Sequence, residues 1–369
     1  MFDVAIIGAG LAGLELSKTL SAKGLSVLLV DRKTDLRQHV HTTGIFVRKT
    51  LEDFSLPADC LGQAVRHVRL HSPAGQCLAL CSPHDEFRVG RMGKLYTHLL
   101  EQSQNNGTVF SAGTHFISSS KSSHGSVLHL EQNQQALSVQ TRFLVGADGA
   151  VSGVAKDLRL EPNKEFIIGV EDLYTNVPLR GEPCFDVYLE PKLAPGYIAW
   201  MVHDGEHVHL GTGGYAHQFD AKVALETFKK RLATQFDFSQ AQHLERRGGR
   251  IPVGGVLKNI VNSRGLLLGD AAGAVSPLTA GGLDPAIRLA HHTAQILEQH
   301  LGGNPQALSH YNSRAMRSRF ASRLLLRRLL TTVTQPQLLE LGFAALKLEP
   351  LKSLAWQIFF GRGGAKSLG

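Results

Sequence analysis

Three observations predict an α/β fold. It would have a Rossmann-like dinucleotide-binding domain, an inserted antiparallel β-sheet domain and a helical C-terminus. Residues 1–33 read as strand, glycine-rich turn, helix and strand. Two more apolar segments, 143–150 and 265–270, each run into glycine with a carboxylate. Between them, residues 167–215 change to strand patterns broken by Pro178, Pro183, Pro191, Pro195 and paired glycines, the mark of a mainly antiparallel domain.

The opening stretch carries the most information. Residues 2–7 form a nearly continuous apolar run, as expected of a strand buried on both faces. Gly8-Ala9-Gly10-Leu11-Ala12-Gly13 follows at once and opens a helix through Leu14, Leu16 and Leu20. In such a turn Gly8 permits the tight bend, Gly10 lets the backbone approach a pyrophosphate, and Gly13 lets helix pack on strand. The helix N-terminus then offers free N–H groups and a partial positive charge to phosphates. Lys23-Gly24 stops the helix, and a second apolar strand, 25–30, is closed by Asp31-Arg32. Asp31 is spaced to accept from a ribose hydroxyl. The pattern reads as dinucleotide binding without saying which dinucleotide.

After a polar turn, His41-Thr42-Thr43-Gly44-Ile45-Phe46 leaves the cofactor domain, and 51–61 reads as short helix or loop. Residues 65–80 alternate in places and suggest strands. Phe87-Arg88-Val89-Gly90-Arg91 leads into a helix over 92–102, and Asn105-Asn106-Gly107 ends it. Strands are expected over 109–117 and 126–130, and helices over 222–236, 284–301 and 309–330. The expected division is a discontinuous cofactor domain (1–65, 86–160 and 256–330), a substrate domain (66–85 and 161–255) and a helical tail (331–369).

A chain of 369 residues with 43% apolar and 19% charged residues is an ordinary globular protein with room for two cores. Because a strand begins at residue 2 and no apolar run is long enough to span a bilayer, a cytoplasmic location is expected, with membrane association as the alternative. Cys60, Cys77, Cys81 and Cys184 make no disulfide framework, and neither they nor the 18 scattered histidines have metal-ligand spacing, so no metal is expected. The net charge of +8 is concentrated. Arg314, Arg317, Arg319, Arg323, Arg327 and Arg328 fall on one expected helix, in a stretch (299–339) without an acidic residue. Nucleic acid is the generic partner of such a stripe, but no nucleic-acid motif accompanies it, and none is expected to bind.

The second and third strand ends narrow the cofactor. Gly146-Ala147-Asp148-Gly149 followed by Ser152, and Gly269-Asp270-Ala271-Ala272-Gly273, stand in order behind the GxGxxG. Taken alone, each aspartate reads as a capping or turn residue. In this order they resemble the flavoprotein superfamily of p-hydroxybenzoate hydroxylase and geranylgeranyl reductase, over residues 1–330. The resemblance implies FAD. It also implies that Asp270 meets the ribityl chain, that Asp148-Gly149 lines the flavin approach, and that Arg91 reaches the cofactor. Pro277-Leu278-Thr279-Ala280-Gly281-Gly282-Leu283 would lie at the flavin's pyrimidine edge, where a helix N-terminus favours the anionic reduced flavin.

Ala194-Pro195-Gly196-Tyr197-Ile198-Ala199-Trp200 is similar to the aromatic strand of geranylgeranyl reductases. Here Met201-Val202-His203 stands in place of Phe-Pro-Lys, before the pattern resumes at His209-Leu210-Gly211-Thr212-Gly213-Gly214. The Trp-x-Trp-x-Ile-Pro pattern of halogenase relatives is absent. Tyr197 and Trp200 read either as half-buried strand aromatics or as an apolar wall for flavin and substrate. His41-Thr42-Thr43-Gly44-Ile45 occupies the place where the reductases resemble Cys-Gly-Gly. His41, with Thr43 and Gly44, is the candidate catalytic group, and His41 could supply a proton near neutral pH.

The expected activity is therefore FAD-dependent reduction of carbon–carbon double bonds in a hydrophobic, isoprenoid-type substrate. A flavin monooxygenase acting on an aromatic or lipophilic compound is the alternative, and a flavin-bound or apo interaction protein is the alternative of another class. With one complete Rossmann unit, NAD(P)H or another electron donor would bind only transiently. The basic helix, and an apolar tail interrupted by Lys347, Glu349, Pro350 and Lys352, either pack on the body or contact an anionic bilayer.

Overall fold

The apolar runs at the start of the chain become neighbouring parallel strands. In a computed structural model that describes residues 1–179, 181–332 and 335–361, Phe2–Ile7 pairs in parallel with Val27–Val30 on one side and with Gln135–Gly146 on the other. Gly265–Leu267 pairs in parallel with the end of Gln135–Gly146, and Val109–Ser111 with Val27–Val30. Strands of this kind are buried on both faces, which explains their unbroken apolar character. The first part of Gln135–Gly146 instead pairs antiparallel with Gly125–Gln132, which pairs with Thr114–Ser122. Helix Leu11–Ala22 packs against helices Leu283–Leu301 and Met92–Asn105, with Leu14, Leu16, Leu20, Ile287 and Leu297 sealed from solvent.

The chain divides into two compact units, and these strands and helices make the first: Met1–Val40, Met92–Phe166 and Ile251–Leu324. The expected strand over 109–117 is broken in two. At the break the backbone turns back onto the preceding loop, with Gly113 N–H donating to Lys33 O and Thr114 N–H to Asp31 O. The expected helix over 309–330 is a 3-10 turn, Pro305–His310, followed by helix Ser313–Thr332. Asn304 and Asn312 begin the two segments, each side chain accepting from a backbone N–H two residues on.

His41–Arg91, Ile167–Arg250 and Leu325–Gly369 make the second unit. Its larger sheet runs in the order Gln242–Pro252, Phe166–Thr175, Val208–Gly214, Ala199–His203, Cys184–Tyr188, His67–His71 and Cys77–Leu80. Phe166–Thr175, Val208–Gly214, Ala199–His203 and Cys184–Tyr188 pair antiparallel in turn, while Cys184–Tyr188 and His67–His71 run parallel. A three-stranded sheet of Ile45–Val47, Phe87–Gly90 and Leu61–Val65 accompanies it.

That small sheet moves the boundary. Residues 41–65 and 86–91, expected in the cofactor domain, belong to the second unit: their strands pair with one another, and Val65, Phe87 and Val89 share a core with Val68, Leu70, Val187 and Val202 of its larger sheet. Helix Ala221–Leu232, shorter than expected, is capped by Asp220 and covers the larger sheet through Leu225, Phe228 and Leu232. The tail forms helices Pro336–Leu346 and Leu351–Phe360 and joins the second unit's core rather than standing apart. Phe343, Ala355 and Phe360 pack with Val65, Phe87 and Val89, and Trp356 donates to the Cys81 carbonyl. Arg180 and residues 333–334 and 362–369, the last two stretches part of the expected tail, lie outside the described residues. Among the described residues no helix is long and apolar enough to cross a membrane.

Candidate cofactor and catalytic sites

The glycine turn of the first unit is built around close approach. Gly8 has φ +106°, and a Cβ there would lie 2.3 Å from the Ala147 carbonyl oxygen. A Cβ on Gly13 would lie 1.9 Å from the Gly8 carbonyl oxygen. Only glycine fits either position. Gly10 faces open space and is exposed, while Ala9, Leu11 and Ala12 beside it are buried. Gly10 is also the N-cap of Leu11–Ala22, with no side-chain hydrogen bond satisfying the first turn. An exposed, uncapped helix N-terminus fits a phosphate ligand. Asp31 orders this turn: one carboxylate oxygen accepts from Ala9 N–H (2.7 Å), the other from Lys33 N–H (2.8 Å). Each oxygen keeps a second lone pair for a ribose hydroxyl. Arg32 is exposed beside it.

The other two carboxylates of this unit differ. Asp148 accepts from Ser152 Oγ (2.6 Å) and from Val154 N–H (3.1 Å), so it organises the start of the short helix Gly153–Asp157. Its side chain is spent on the turn expected to line the flavin approach; burial pushes its pKa up. Asp270, on the 3-10 turn Gly269–Ala272, keeps part of its surface open. Protein packed around its carboxyl nonetheless pushes its pKa up to about 6. A half-open carboxyl in such surroundings suits a hydroxyl-bearing ligand, whose hydrogen bonds would replace the lost water.

The turn after it is shaped by its own hydrogen bonds. Ser276 N–H donates to Gly281 O and Ala280 N–H to Ser276 O, and Arg323 donates to Ser276 Oγ (3.2 Å). Pro277 is buried. Gly282 is the N-cap of Leu283–Leu301, again without a side-chain cap. A Cβ on Gly282 would stand 3.3 Å from Asp270 Oδ1, so the glycine keeps the approach to that carboxylate clear.

The candidate catalytic loop belongs to the second unit, where two strands tie it down. His41 Nδ1 lies 3.0 Å from Gly248 O. A carbonyl only accepts, so Nδ1 carries the hydrogen, and in the neutral ring Nε2 carries the lone pair. The Thr42 carbonyl accepts from Arg247 (3.3 Å), and Gly44 N–H donates to Thr42 Oγ1 (3.1 Å). Thr43 Oγ1 donates to Glu171.

Glu171 was missed in the sequence. It is 3% exposed, on strand Phe166–Thr175, and also accepts from Trp200 Nε1 (3.1 Å) and His209 Nδ1 (3.1 Å), with Arg247 at 3.8 Å. His209 Nε2 faces Asp204 Oδ2 at 3.2 Å. Asp204 also accepts from the backbone N–H groups of Glu206 and His207. Burial works against charge on all three side chains, and the network overrides it: His209 is raised to about 9, while Glu171 and Asp204 are held below the ordinary carboxylate range. With a carboxylate on each ring nitrogen, His209 is an imidazolium. The available signal was charge within apolar strands, Glu171-Asp172 in one and His209 in the next, because buried charges must be paired.

Tyr197 and Trp200 sit edge to face, with centroids 6.4 Å apart. The glycine-rich strand makes room for them. A Cβ on Gly211 would lie 2.2 Å from the Trp200 ring, and one on Gly213 2.9 Å from the Tyr197 ring. Trp200 is buried and its N–H is committed to Glu171; Tyr197 is half-buried, with its hydroxyl pKa raised by burial. Arg91, expected to reach the cofactor, pairs with Glu206 at 2.8 Å, and its N–H donates to Cys60 O within the second unit.

Residues 1–327 match the family model described as "FAD binding domain". The chain is 25% identical to the digeranylgeranylglycerophospholipid reductase of Methanococcus vannielii, over 78% of this chain and 74% of that one. Its fold is similar to that of a geranylgeranyl bacteriochlorophyll reductase-like protein from Thermoplasma acidophilum, with a TM-score of 0.80, 19% identity, and coverage of 92% of this chain and 89% of the other. It is also similar in fold to p-nitrophenol 4-monooxygenase from Pseudomonas putida, with a TM-score of 0.70 and 16% identity, covering 100% of this chain and 95% of that one.

Proposed function

Because the chain belongs to the FAD binding domain family, we propose that it is an FAD-dependent reductase of carbon–carbon double bonds in a hydrophobic, isoprenoid-type substrate. The observation that carries the cofactor is the exposed, uncapped Gly10 turn, flanked by two glycines that admit no side chain. The similarity to a relative named as a digeranylgeranylglycerophospholipid reductase supports the substrate class.

In this reading Gly8, Ala9, Gly10, Leu11, Ala12 and Gly13 hold the pyrophosphate through backbone N–H groups. Asp31, with Arg32 beside it, takes the ribose. Gly269 and Asp270 bind the ribityl chain. Pro277, Gly281, Gly282 and Leu283 bring a helix N-terminus to the pyrimidine edge, and Asp148 and Arg91 act through the shape of their turns. Bound FAD, once reduced by NAD(P)H or another transiently bound donor, supplies a hydride from N5. His41, when its ring is protonated on both nitrogens, would pass the Nε2 proton to the second carbon and be left neutral with Nδ1–H still on the Gly248 carbonyl, while Thr43 and Gly44 shape the loop and Tyr197 and Trp200 exclude water.

The proposed macromolecular partner is an anionic bilayer surface, met by the C-terminal helices. Leu338, Leu341, Leu348, Leu351 and Leu354 are exposed in this segment, as are Lys347 and Lys352, and Arg328 is exposed on the preceding helix Ser313–Thr332. That mixture suits an interfacial helix. A cytoplasmic protein bound to a membrane surface would meet a lipophilic substrate where it resides.

The test is anaerobic. Flavin reduced with dithionite and mixed with a polyprenyl substrate panel is expected to recover its oxidised absorbance. Flavin that stays reduced with every member and reoxidises only in air, with oxygen entering a product, would replace the reductase with a monooxygenase.

A further inference from the structure

Glu171, His209 and Asp204 form a buried ionic chain that ends on the half-buried Thr43. Thr43 has one hydroxyl hydrogen, and Glu171 takes it. Toward any ligand that oxygen then offers only lone pairs. Glu171 can play this part only while ionised, because a protonated carboxyl could itself donate to Thr43 and turn the hydroxyl round. The side chains that hold it ionised come from three elements: His209 on Val208–Gly214, Trp200 on Ala199–His203 and Arg247 on Gln242–Pro252. Asp204 anchors the far side of His209, with His207 Nδ1 at 3.7 Å from the same oxygen. Arg247 also holds Thr42 O, so the same cluster fixes two consecutive loop residues.

We infer that Glu171 is a positioning residue for the loop at 41–44, fixing the Thr43 hydroxyl as a hydrogen-bond acceptor toward an N–H or O–H of the bound cofactor or substrate. It rests on the reading of that loop as catalytic. It assigns Thr43 an acceptor's role and leaves proton donation to His41 or water. His209 acts one step further back, through Glu171.

The experiment is a double-mutant cycle in the FAD-loaded enzyme, with Glu171→Gln, Thr43→Val and both together, and Thr43→Ser as the conservative control. Glu171→Gln is expected to lower kcat for polyprenyl reduction by about a hundred-fold, with KM nearly unchanged. In the Thr43→Val background the same change should cost nothing further, and Thr43→Ser should restore the wild-type rate. Nitrogen NMR of the histidine rings supplies a readout without turnover. One buried ring, identified by its loss in His209→Gln, should be doubly protonated at neutral pH in the wild type and neutral in Glu171→Gln.

Losses that multiply independently, or an active Thr43→Val, would overturn the assignment. If Glu171→Gln does not fold, Thr43→Val against Thr43→Ser decides it alone. A wild type that reduces no polyprenyl substrate sinks the reductase reading instead. The cycle is then read on the absorption band of the bound flavin, where shifts that add independently overturn the positioning role.

Discussion

In the first unit, Asp270 sits with protein packed around its carboxyl and its pKa pushed up to about 6. In the second, Glu171 and Asp204 share one imidazolium, and both are held below the ordinary carboxylate range. The uncapped N-termini at Gly10 and Gly282 extend the contrast. The first unit leaves two helix N-termini without a side-chain cap. The second balances its buried charges within the protein and spends them on holding a loop. One part of the molecule presents helix ends without side-chain caps, and the other pairs its buried charges internally.

The largest effect should come from filling the ligand's side of this comparison. Gly13→Val places a side chain where a Cβ already lies 1.9 Å from the Gly8 carbonyl oxygen. It should abolish FAD retention, read as loss of flavin absorbance in the purified protein; a yellow variant would refute the tight turn.

Charge removal should then separate the units. His209→Leu leaves two buried carboxylates uncompensated and should cost about 3–5 kcal/mol in denaturant unfolding. Asp270→Asn removes a carboxylate whose ionisation burial opposes, so it should raise the stability of the apo protein at neutral pH, and should weaken FAD by about ten-fold or more through one lost charged hydrogen bond. Equal stability losses in the two variants would erase the distinction.

The pH dependence sharpens the same point. Asp270 has a folded pKa of about 6 against 3.8 ordinarily, and His209 one of about 9 against 6.5. Both are raised, so each contributes stability below its ordinary pKa and loses it as pH rises through the folded one. Apo stability should fall from 3.8 to about 6 through Asp270 and from 6.5 to about 9 through His209. Asp270→Asn should remove only the lower window.

The smallest effect concerns the tail. Leu341→Glu and Leu348→Glu together should lower affinity for phosphatidylglycerol vesicles by about ten-fold or more, while leaving FAD content unchanged. Wild-type protein that ignores such vesicles would end the membrane proposal.

The order strand, glycine turn, helix, strand and acid was readable in the chain because each signal is local. Periodicity, turn residues and spacing at 2–31 constrain one another within a single supersecondary unit. The same locality made the strand ends at Gly146 and Gly269 legible. It did not reveal what Asp148 does, because a capping carboxylate and a ligand-facing one have the same sequence. Nor did it assign residues 41–65 and 86–91, whose unit depends on which strands pair.

By itself the sequence determined the glycine turn between the first strand and helix, the succession of α/β and antiparallel segments, and the basic helix. Only the tertiary structure decided that Glu171, Asp204 and His209 meet, that Gly211 and Gly213 exist to seat Trp200 and Tyr197, and that the tail helices belong to the second core. The physical reason is distance along the chain. A turn or cap is fixed by neighbours a few residues away, whereas a buried charge is fixed by partners on other strands, whose register alone brings them together.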